Sequence, residues 1–361
     1  MKSHDYDAQY VIQTTVSRED LDLVFLKIDD APFRIYGVTR DGDSYTRMPT
    51  DVAKRIGGSV LERHRNTAGG RVRFVTDSSE VSIRVTLDAP IKKYEMCDLT
   101  DFAMAGMDIY SDKTFKGTAN PEGIFGDNTY EYVRPCGDKG LPTITMNMPL
   151  FLGVKDVYIG VKKGSKVLRA PDYTVERPVV FYGGTATQGA AAYRPGTCYA
   201  SLLTREFDCN YINLGFAGGA RAEKEMSEYI SALDMSALVY DIDDPDITAE
   251  ELRSIHERMF LEFRQKKPDT PVLFLSRPYG KLTDDVKRRE QIVKSTYEKA
   301  VARGDKNVWL VLGSDFFPDE DVRENFSHDD VYPTDLGCYF MKEAIKPAFA
   351  EIVEKIKAQN A

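Results

Sequence analysis

The chain has 361 residues, of which 42% are hydrophobic and 29% are charged, and its formal net charge is −9. At roughly one domain per 150 residues, this length predicts two domains, each large enough to bury its own core. The acidic balance argues against nucleic acid and membrane surfaces as partners, because both bind through clustered Lys and Arg.

The five cysteines are scattered and form no Cys-x-x-Cys pair, which favours reduced thiols over a disulfide framework or a zinc site. The first ten residues, MKSHDYDAQY, lack the apolar core of a signal peptide. No apolar run reaches the roughly 18 residues that a membrane helix needs. We therefore expect a cytoplasmic protein that uses no metal and no other cofactor.

The first half, residues 1–170, has the pattern of an antiparallel β-sandwich, with a jelly-roll-like arrangement of strands. Short segments alternate between apolar and polar residues and are separated by turn signals such as Asp41-Gly42. The predicted strands include 71–75, 81–86, 143–146 and 157–161. Pro171 and Pro178 mark the segment 168–178 as a linker.

The second half, residues 171–361, alternates strands with helices. Apolar runs at 179–182, 211–214, 237–240, 272–275 and 308–312 are separated by helical segments. One helix follows the capping box at Thr248–Glu251, another spans 283–303, and the last begins near Thr334. The pattern predicts a flavodoxin-like α/β domain with a parallel five-stranded sheet. Ligands bind at the carboxyl ends of such strands, so the loops there are the candidate site.

Three of those loops carry recognisable motifs. Phe181-Tyr-Gly-Gly-Thr-Ala-Thr-Gln-Gly189 resembles the first block of the SGNH/GDSL hydrolases, and Asn213-Leu-Gly-Phe-Ala-Gly218 resembles the second. Asp329-Asp-Val-Tyr332-Pro333 resembles the last block, which precedes a helix. In the first half, Gly106-Met-Asp-Ile-Tyr110 resembles the Gly-x-Asp-Leu-Tyr motif of the β-domain found in one SGNH subgroup.

The resemblance implies acyl-transfer chemistry on oxygen esters, often acetylated sugars. In that family a Ser attacks the carbonyl, a His takes its proton and an Asp orients the His. Backbone N–H groups and an Asn side chain stabilise the oxyanion.

At the matching positions this chain holds Thr185 for the nucleophile and Tyr332 for the histidine. Gly218 keeps its place as an oxyanion donor and Asp329 its place as the triad acid. The loop 241–246, which would supply the Asn, holds four aspartates instead. A Tyr, with an ordinary pKa of about 10, is a poor base at neutral pH.

The four histidines offer one substitute base near the site, His328, whose loop would have to rearrange. We expect His256 at the helix surface, His64 in the β-domain and His4 in a frayed terminus. Gly184, Arg194, Arg277 and Asp243 are the candidate ligand-binding residues, although each Arg could instead anchor its own loop. Tyr182, Tyr193 and Tyr332 could stack on a sugar ring. The acidic loop invites a calcium hypothesis, but we expect it to be simply solvated.

Three functions fit these observations. In the first, the chain is an SGNH homologue that lacks hydrolytic activity and uses its cleft to bind a carbohydrate, an acyl ester or another small molecule, or a protein partner. In the second, it is an active esterase or acyltransferase that uses Thr185 or His328. In the third, it has an assembly role through the β-domain. Homo-oligomerisation is compatible with all three.

Overall fold

The structure is a computed structural model that describes residues 22–90, 99–119, 128–135 and 140–360. His4, Cys97 and Cys136 lie outside these residues. The other three cysteines, Cys198, Cys209 and Cys338, are buried free thiols. Within the described residues, no helix is both long and apolar enough to cross a bilayer.

The first half forms two antiparallel sheets and a small hairpin. Its strands are β1 (Leu23–Lys27), β2 (Arg34–Tyr36), β3 (Thr39–Asp41), β4 (Ser44–Thr46), β5 (Arg71–Thr76), β6 (Glu80–Leu87), β7 (Met107–Ser111), β8 (Thr114–Ala119), β9 (Thr129–Pro135), β10 (Thr143–Asn147), β11 (Val154–Lys162) and β12 (Val167–Leu168). One sheet has the order β1-β11-β6-β9. The other has the order β12-β5-β10-β7-β8, with β2 also paired to β5.

The apolar side chains of these strands meet in a sandwich core, as the alternating pattern predicts. On β5, Val72 and Phe74 are fully buried in that core. Arg71 and Arg73 point to the opposite face because successive side chains of a strand alternate. They are also buried, because the second half of the chain covers that face.

Three short helices of this half were not expected from the sequence: α1 (Thr50–Ile56), α2 (Gly58–Arg63) and α3 (Asp101–Ala105). Each has at most seven residues, too few for a clear helical period. Met48, Val52 and Val60, on and beside α1 and α2, pack with Phe216 of the second half. These two helices therefore reach the edge of the candidate site.

The second half is a parallel α/β sheet. Its strands are β13 (Val175–Gly183), β14 (Cys209–Gly215), β15 (Ala237–Asp241), β16 (Val272–Leu275) and β17 (Val308–Val311), in the order β14-β13-β15-β16-β17. Its helices are α4 (Thr185–Gln188), α5 (Tyr199–Glu206), α6 (Lys224–Ala232), α7 (Ala249–Lys266), α8 (Asp284–Ala302), α9 (Glu320–Asn325) and α10 (Asp335–Asn360).

This arrangement confirms the predicted fold class. The capping box before α7 is formed as expected, with reciprocal hydrogen bonds between Thr248 and Glu251. The predicted linker is partly wrong, because β13 already begins at Val175. The strand extends upstream through pairing of Val175 with Cys209 on β14. Since β12 ends at Leu168, we propose that the domain boundary lies between these two strands, close to residue 170.

The β-domain motif at 106–110 ties the two halves together. Asp108 is fully buried and accepts hydrogen bonds from the Arg194 guanidinium at 2.8 Å and from the hydroxyl of Thr118 at 2.7 Å. It also accepts one from the backbone N–H of Gly196. Tyr110 accepts a second hydrogen bond from Arg194 at 2.7 Å. The motif therefore holds the loop that leads into α5 against the sandwich.

Candidate functional site

The strand-to-helix turn after β13 is built around a close approach of its backbone to the Asp244 side chain. A Cβ on Gly184 would lie 1.7 Å from Asp244 Oδ2, so only glycine fits beside that carboxylate. Thr185 follows as the first residue of α4 and is 4% exposed. The turn thus presents residue 185 at the carboxyl end of the central strands, where an α/β sheet binds ligands.

The Asp244 carboxyl group accepts hydrogen bonds from backbone N–H groups at this turn. Its Oδ2 accepts a hydrogen bond from the Thr185 N–H at 2.8 Å, and its Oδ1 accepts one from the Asp246 N–H at 3.0 Å. Burial raises the pKa of Asp244 above its ordinary value. The N–H that the family resemblance assigns to oxyanion stabilisation is therefore engaged by a carboxyl group of its own chain.

Tyr332 lies beside Thr185. Burial, together with the nearby Asp244 carboxylate, raises the pKa of Tyr332 to about 12, against the opposing effect of a hydrogen bond with Thr185. The phenol is therefore protonated at neutral pH and cannot accept a proton from a nucleophile. Thr185 and Tyr332 line the same depression.

The Asp329 carboxylate is used within its own loop. Its Oδ1 accepts hydrogen bonds from the Ser327 hydroxyl at 2.6 Å and from the backbone N–H groups of Tyr332 and Val331 at 2.9 and 3.0 Å. His328 Nε2 lies 3.9 Å from Asp329 Oδ2, and nearly half of the His328 side chain is exposed. Asp329 Oδ1 is therefore engaged by hydrogen bonds within its own loop, residues 327–332.

An open depression of about 400 Å³ surrounds these residues. It is lined by Ser59, Arg63, Thr185, Ala217, Gly218, Arg221, Asp246 and Tyr332. Gly218 has a φ of +74°, a conformation that favours glycine, and a Cβ there would lie 3.0 Å from Ser59 Oγ. Ser59 and Arg63 belong to α2, so the β-domain supplies one wall. We call this depression the cleft.

A smaller depression adjoins the cleft at Tyr332. Its lining includes Gly184, Asp243, Asp244 and Arg277. No histidine of the described residues lines either depression. Three of the four candidate ligand-binding residues, Gly184, Asp243 and Arg277, therefore line this smaller depression.

Asp243 and Arg194 are engaged by hydrogen bonds within the protein. Asp243 is buried and accepts hydrogen bonds from Arg289 Nη1 at 3.1 Å and from the Arg277 N–H at 3.2 Å. Arg194 donates hydrogen bonds to Asp108 and Tyr110 at the domain interface. Of the three tyrosines considered for sugar stacking, Tyr332 lines the cleft. Tyr182 is fully buried, and Tyr193 stacks on Phe102.

The acidic loop after β15 is not solvated, contrary to expectation. Asp241, Asp243 and Asp244 are each at most 5% exposed, whereas Asp246 is exposed. Burial raises the pKa of Asp241 to about 7, although it accepts hydrogen bonds from Thr187 and Tyr199 at 2.7 Å. Among the described residues, no group of three or more His, Cys, Asp or Glu could hold a metal ion.

The surface position expected for His256 is wrong. The side chain is fully buried between α7 and α8, and its Nδ1 lies 2.8 Å from the Thr296 hydroxyl. Burial lowers the pKa of His256 to about 3. His64 is also buried, and its ring contacts the Thr50 hydroxyl and the Leu61 carbonyl. Neither ring lines the cleft.

Sequence reasoning missed the cleft residues Ser59, Arg63 and Arg221. Arg221 could have been found from its position three residues after Gly218, in the loop that follows β14. Ser59 and Arg63 carry no signal in the sequence, because the fold alone brings α2 to this edge of the second domain.

Comparison with known families follows the same division of the chain. Residues 176–350 match the family model of the GDSL-like lipases/acylhydrolases. Residues 23–167 match the model of the N-terminal domain of SGNH hydrolase-type esterases, GxDLY. No curated protein matches the chain significantly.

Several solved structures share the whole two-domain arrangement. A protein from Bacteroides ovatus described as a GDSL-like lipase is 25% identical, with a TM-score of 0.80 over 92% of this chain and 98% of that chain. The salicylyl-acyltransferase SsfX3 from a tetracycline biosynthetic pathway is 18% identical, with a TM-score of 0.74 over the same shares.

A family two carbohydrate esterase from Clostridium thermocellum, in complex with cellohexaose, is 13% identical. Its TM-score is 0.59 over 90% of this chain and 99% of that chain. The two family models together span both halves, and the structural match to the B. ovatus protein covers them jointly. The chain therefore belongs to the GDSL-like lipase/acylhydrolase family, in the two-domain form with a GxDLY β-domain.

Proposed function

We propose that this chain is a non-hydrolytic member of its family that binds a carbohydrate or acyl-ester ligand in the cleft. The observation that carries the proposal is the hydrogen bond from the Thr185 N–H to Asp244. A carboxyl group at this place competes with a developing oxyanion for the donor, and when ionised it repels the oxyanion. Loss of one such donor costs about 2.7–4 kcal/mol of transition-state stabilisation.

The proton-transfer groups support the same proposal. Tyr332 stays protonated at neutral pH, and the Asp329 carboxylate is taken up by its own loop. No described histidine lines the cleft. A hydroxyl nucleophile needs a base within hydrogen-bond reach, and the described part of the chain places no histidine on the cleft to activate the Thr185 hydroxyl.

The cleft has the chemistry to hold a polyhydroxylated ligand. Arg63 and Arg221 provide donors, Asp246 provides an acceptor and Tyr332 provides an aromatic surface. A cleft filled by its own side chains would favour the assembly role. The cleft here is open, which argues against that role. A neighbour of the same fold was solved with cellohexaose, which makes this oligosaccharide a reasonable first probe.

The active-esterase alternative keeps one observation in its favour. Thr185 and Tyr332 both line an open cleft, where a substrate could reach them. An assay of p-nitrophenyl acetate and a sugar acetate separates the two functions. We expect no hydrolysis above the buffer rate. Hydrolysis that disappears in Thr185→Ala would instead establish the esterase.

Binding is tested by calorimetric titration with cellohexaose and with the same sugar acetate. We expect saturable binding of at least one of them that is weakened several-fold in Arg63→Ala. Arg65→Ala is the matched control, because Arg65 lies two residues away and does not line the cleft. If neither compound binds and neither ester is hydrolysed, the proposal fails.

A further inference from the structure

A second cavity lies on the far side of the sheet that carries the GxDLY motif. The polar face of that sheet includes Arg71 and Arg73 of β5 and Thr143, Thr145 and Asn147 of β10. In register, Arg73 lies opposite Thr145, which lies opposite Tyr110 of β7. Such a polar face of an antiparallel sheet is ordinarily solvated. Here α5 and β14 of the second domain cover it.

The cover is incomplete and leaves a cavity of about 390 Å³ between the two domains. Four cationic side chains line it against two carboxylates, in a chain that is acidic as a whole. The cations are Arg71, Arg73, Lys113 and Arg205, and the carboxylates are Asp112 and Asp208. The cavity shares no lining residue with the cleft. We call it the interdomain cavity.

The two arginines of β5 differ in their partners. Arg71 donates to the Tyr173 hydroxyl at 3.0 Å, to Asn210 Oδ1 at 2.7 Å and to the Tyr211 carbonyl at 3.1 Å. Arg73 is only 7% exposed, yet its Nε and Nη1 have no hydrogen-bond partner among the described residues. Its guanidinium lies over the Tyr173 ring at 3.9 Å from the centroid.

The nearby carboxylates do not neutralise Arg73. Asp112 accepts from the Thr143 N–H at 3.0 Å, and Asp208 accepts from the N–H and hydroxyl of Thr174 at 3.0 and 2.8 Å. Neither forms an ion pair with Arg73 within the described part of the chain. A buried cation without a paired anion is costly, so this position favours an anionic guest.

We propose that the interdomain cavity is a second ligand site, which binds a small organic anion through a carboxylate or phosphate group on Arg73. The planar guanidinium can donate two parallel hydrogen bonds to either group. Tyr173 and Tyr211 provide an aromatic wall for the remainder of the ligand. The volume falls within the range of small-molecule sites and suits a guest of about one ring.

Benzoate and phenyl phosphate are the anionic probes, and benzyl alcohol is their neutral counterpart. In titrations of the full chain at low salt, we expect both anions, or one of them, to bind saturably and benzyl alcohol to bind at least tenfold more weakly. Arg73→Met should weaken anion binding at least tenfold. Thr185→Ala, which alters the cleft, should leave it unchanged.

Arg34→Met is the matched control. Arg34 lies opposite Arg73 on β2, but it is paired with Asp172 at 2.9 Å and Glu176 at 2.7 Å and does not line the cavity. If Arg73→Met does not fold, Arg73→Lys replaces it, because Lys keeps the charge and removes the planar fork. Absence of saturable anion binding to the unmodified chain would overturn the proposal. So would equal losses in the Arg34 and Arg73 variants, or loss of binding in Thr185→Ala.

Discussion

The backbone N–H of Thr185 donates a hydrogen bond of 2.8 Å to Asp244 Oδ2, and Gly184 leaves the space for that carboxylate. The turn after β13 therefore has its Thr185 N–H bonded to an acid, at the position that the family resemblance assigns to the nucleophile. This relationship decides which substitutions should restore ester hydrolysis.

We expect Thr185→Ser combined with Tyr332→His to restore only slight esterase activity, because Asp244 stays on the donor. Adding Asp244→Asn should raise the rate of p-nitrophenyl acetate hydrolysis at least tenfold over the double variant. An amide removes the negative charge and brings an N–H donor, and each oxyanion donor is worth about 10²–10³ in rate. Asp246→Asn in place of Asp244→Asn is the control. Equal rates for the double and triple variants would contradict the argument.

The ion pair between Arg194 and Asp108 should be a major source of stability at the domain interface. Arg194→Met leaves the fully buried Asp108 carboxylate without its cation, which we expect to cost about 3 kcal/mol of unfolding free energy. Arg169→Met, which removes an exposed pair with Asp172, should change it by less than about 1 kcal/mol. Urea unfolding of both variants checks the difference. Similar losses of unfolding free energy would show that the buried Arg194–Asp108 pair stabilises the protein no more than an exposed pair does.

Asp241 should make stability fall as pH rises. Burial raises its pKa in the folded chain to about 7, above the ordinary value of 3.8. The folded chain therefore retains a proton that the unfolded chain releases between these values. The stabilisation is complete below about pH 4 and is lost as pH rises through 7, by at most about 1.4 kcal/mol per pH unit.

Asp241→Asn removes this titration, so the variant should gain stability relative to the unmodified chain between pH 4.5 and 7.5. Asp329→Asn is a control of opposite sign. Although burial acts to raise it, hydrogen bonds from Ser327, Tyr332 and Val331 hold the pKa of Asp329 below its ordinary value. Its contribution is present above that value and is lost as pH falls. Thermal unfolding at several pH values measures both, and a flat difference for Asp241→Asn would refute the first expectation.

Gly184 should tolerate no side chain. A Cβ would overlap the Asp244 carboxyl group, so Gly184→Ala must displace the loop that carries Asp244. We expect this to lower the free energy of unfolding by about 2 kcal/mol or more. Gly42→Ala is the comparison, because Gly42 has a φ of +64° but open space around it. Its cost should be limited to the backbone term of about 1 kcal/mol. Equal melting temperatures for the two variants would show that the Asp244 loop can move aside at little energetic cost, contrary to this prediction.

The sequence by itself determined the fold class and most of the strands. Apolar alternation on β5 and β10 and the continuous apolar runs of β13 to β17 are local patterns that report burial on one face or on both. The capping box at Thr248 is likewise a local contact between residues three positions apart. The blocks around Thr185, Gly218 and Tyr332 indicated the family for the same reason, since each is a short contiguous segment.

Only the tertiary structure decided which polar groups face each other. Asp244 was one of four aspartates in a loop expected to be solvated, and its contact with Thr185 spans 59 positions. His256 could not be placed from sequence, because its burial depends on α8 packing beside α7. Arg71 and Arg73 are the same residue type on the same face of β5. The Arg71 guanidinium donates to Tyr173, Asn210 and Tyr211, whereas Nε and Nη1 of Arg73 have no hydrogen-bond partner among the described residues. That difference arises where two domains meet, and long-range packing leaves no trace in local sequence periodicity.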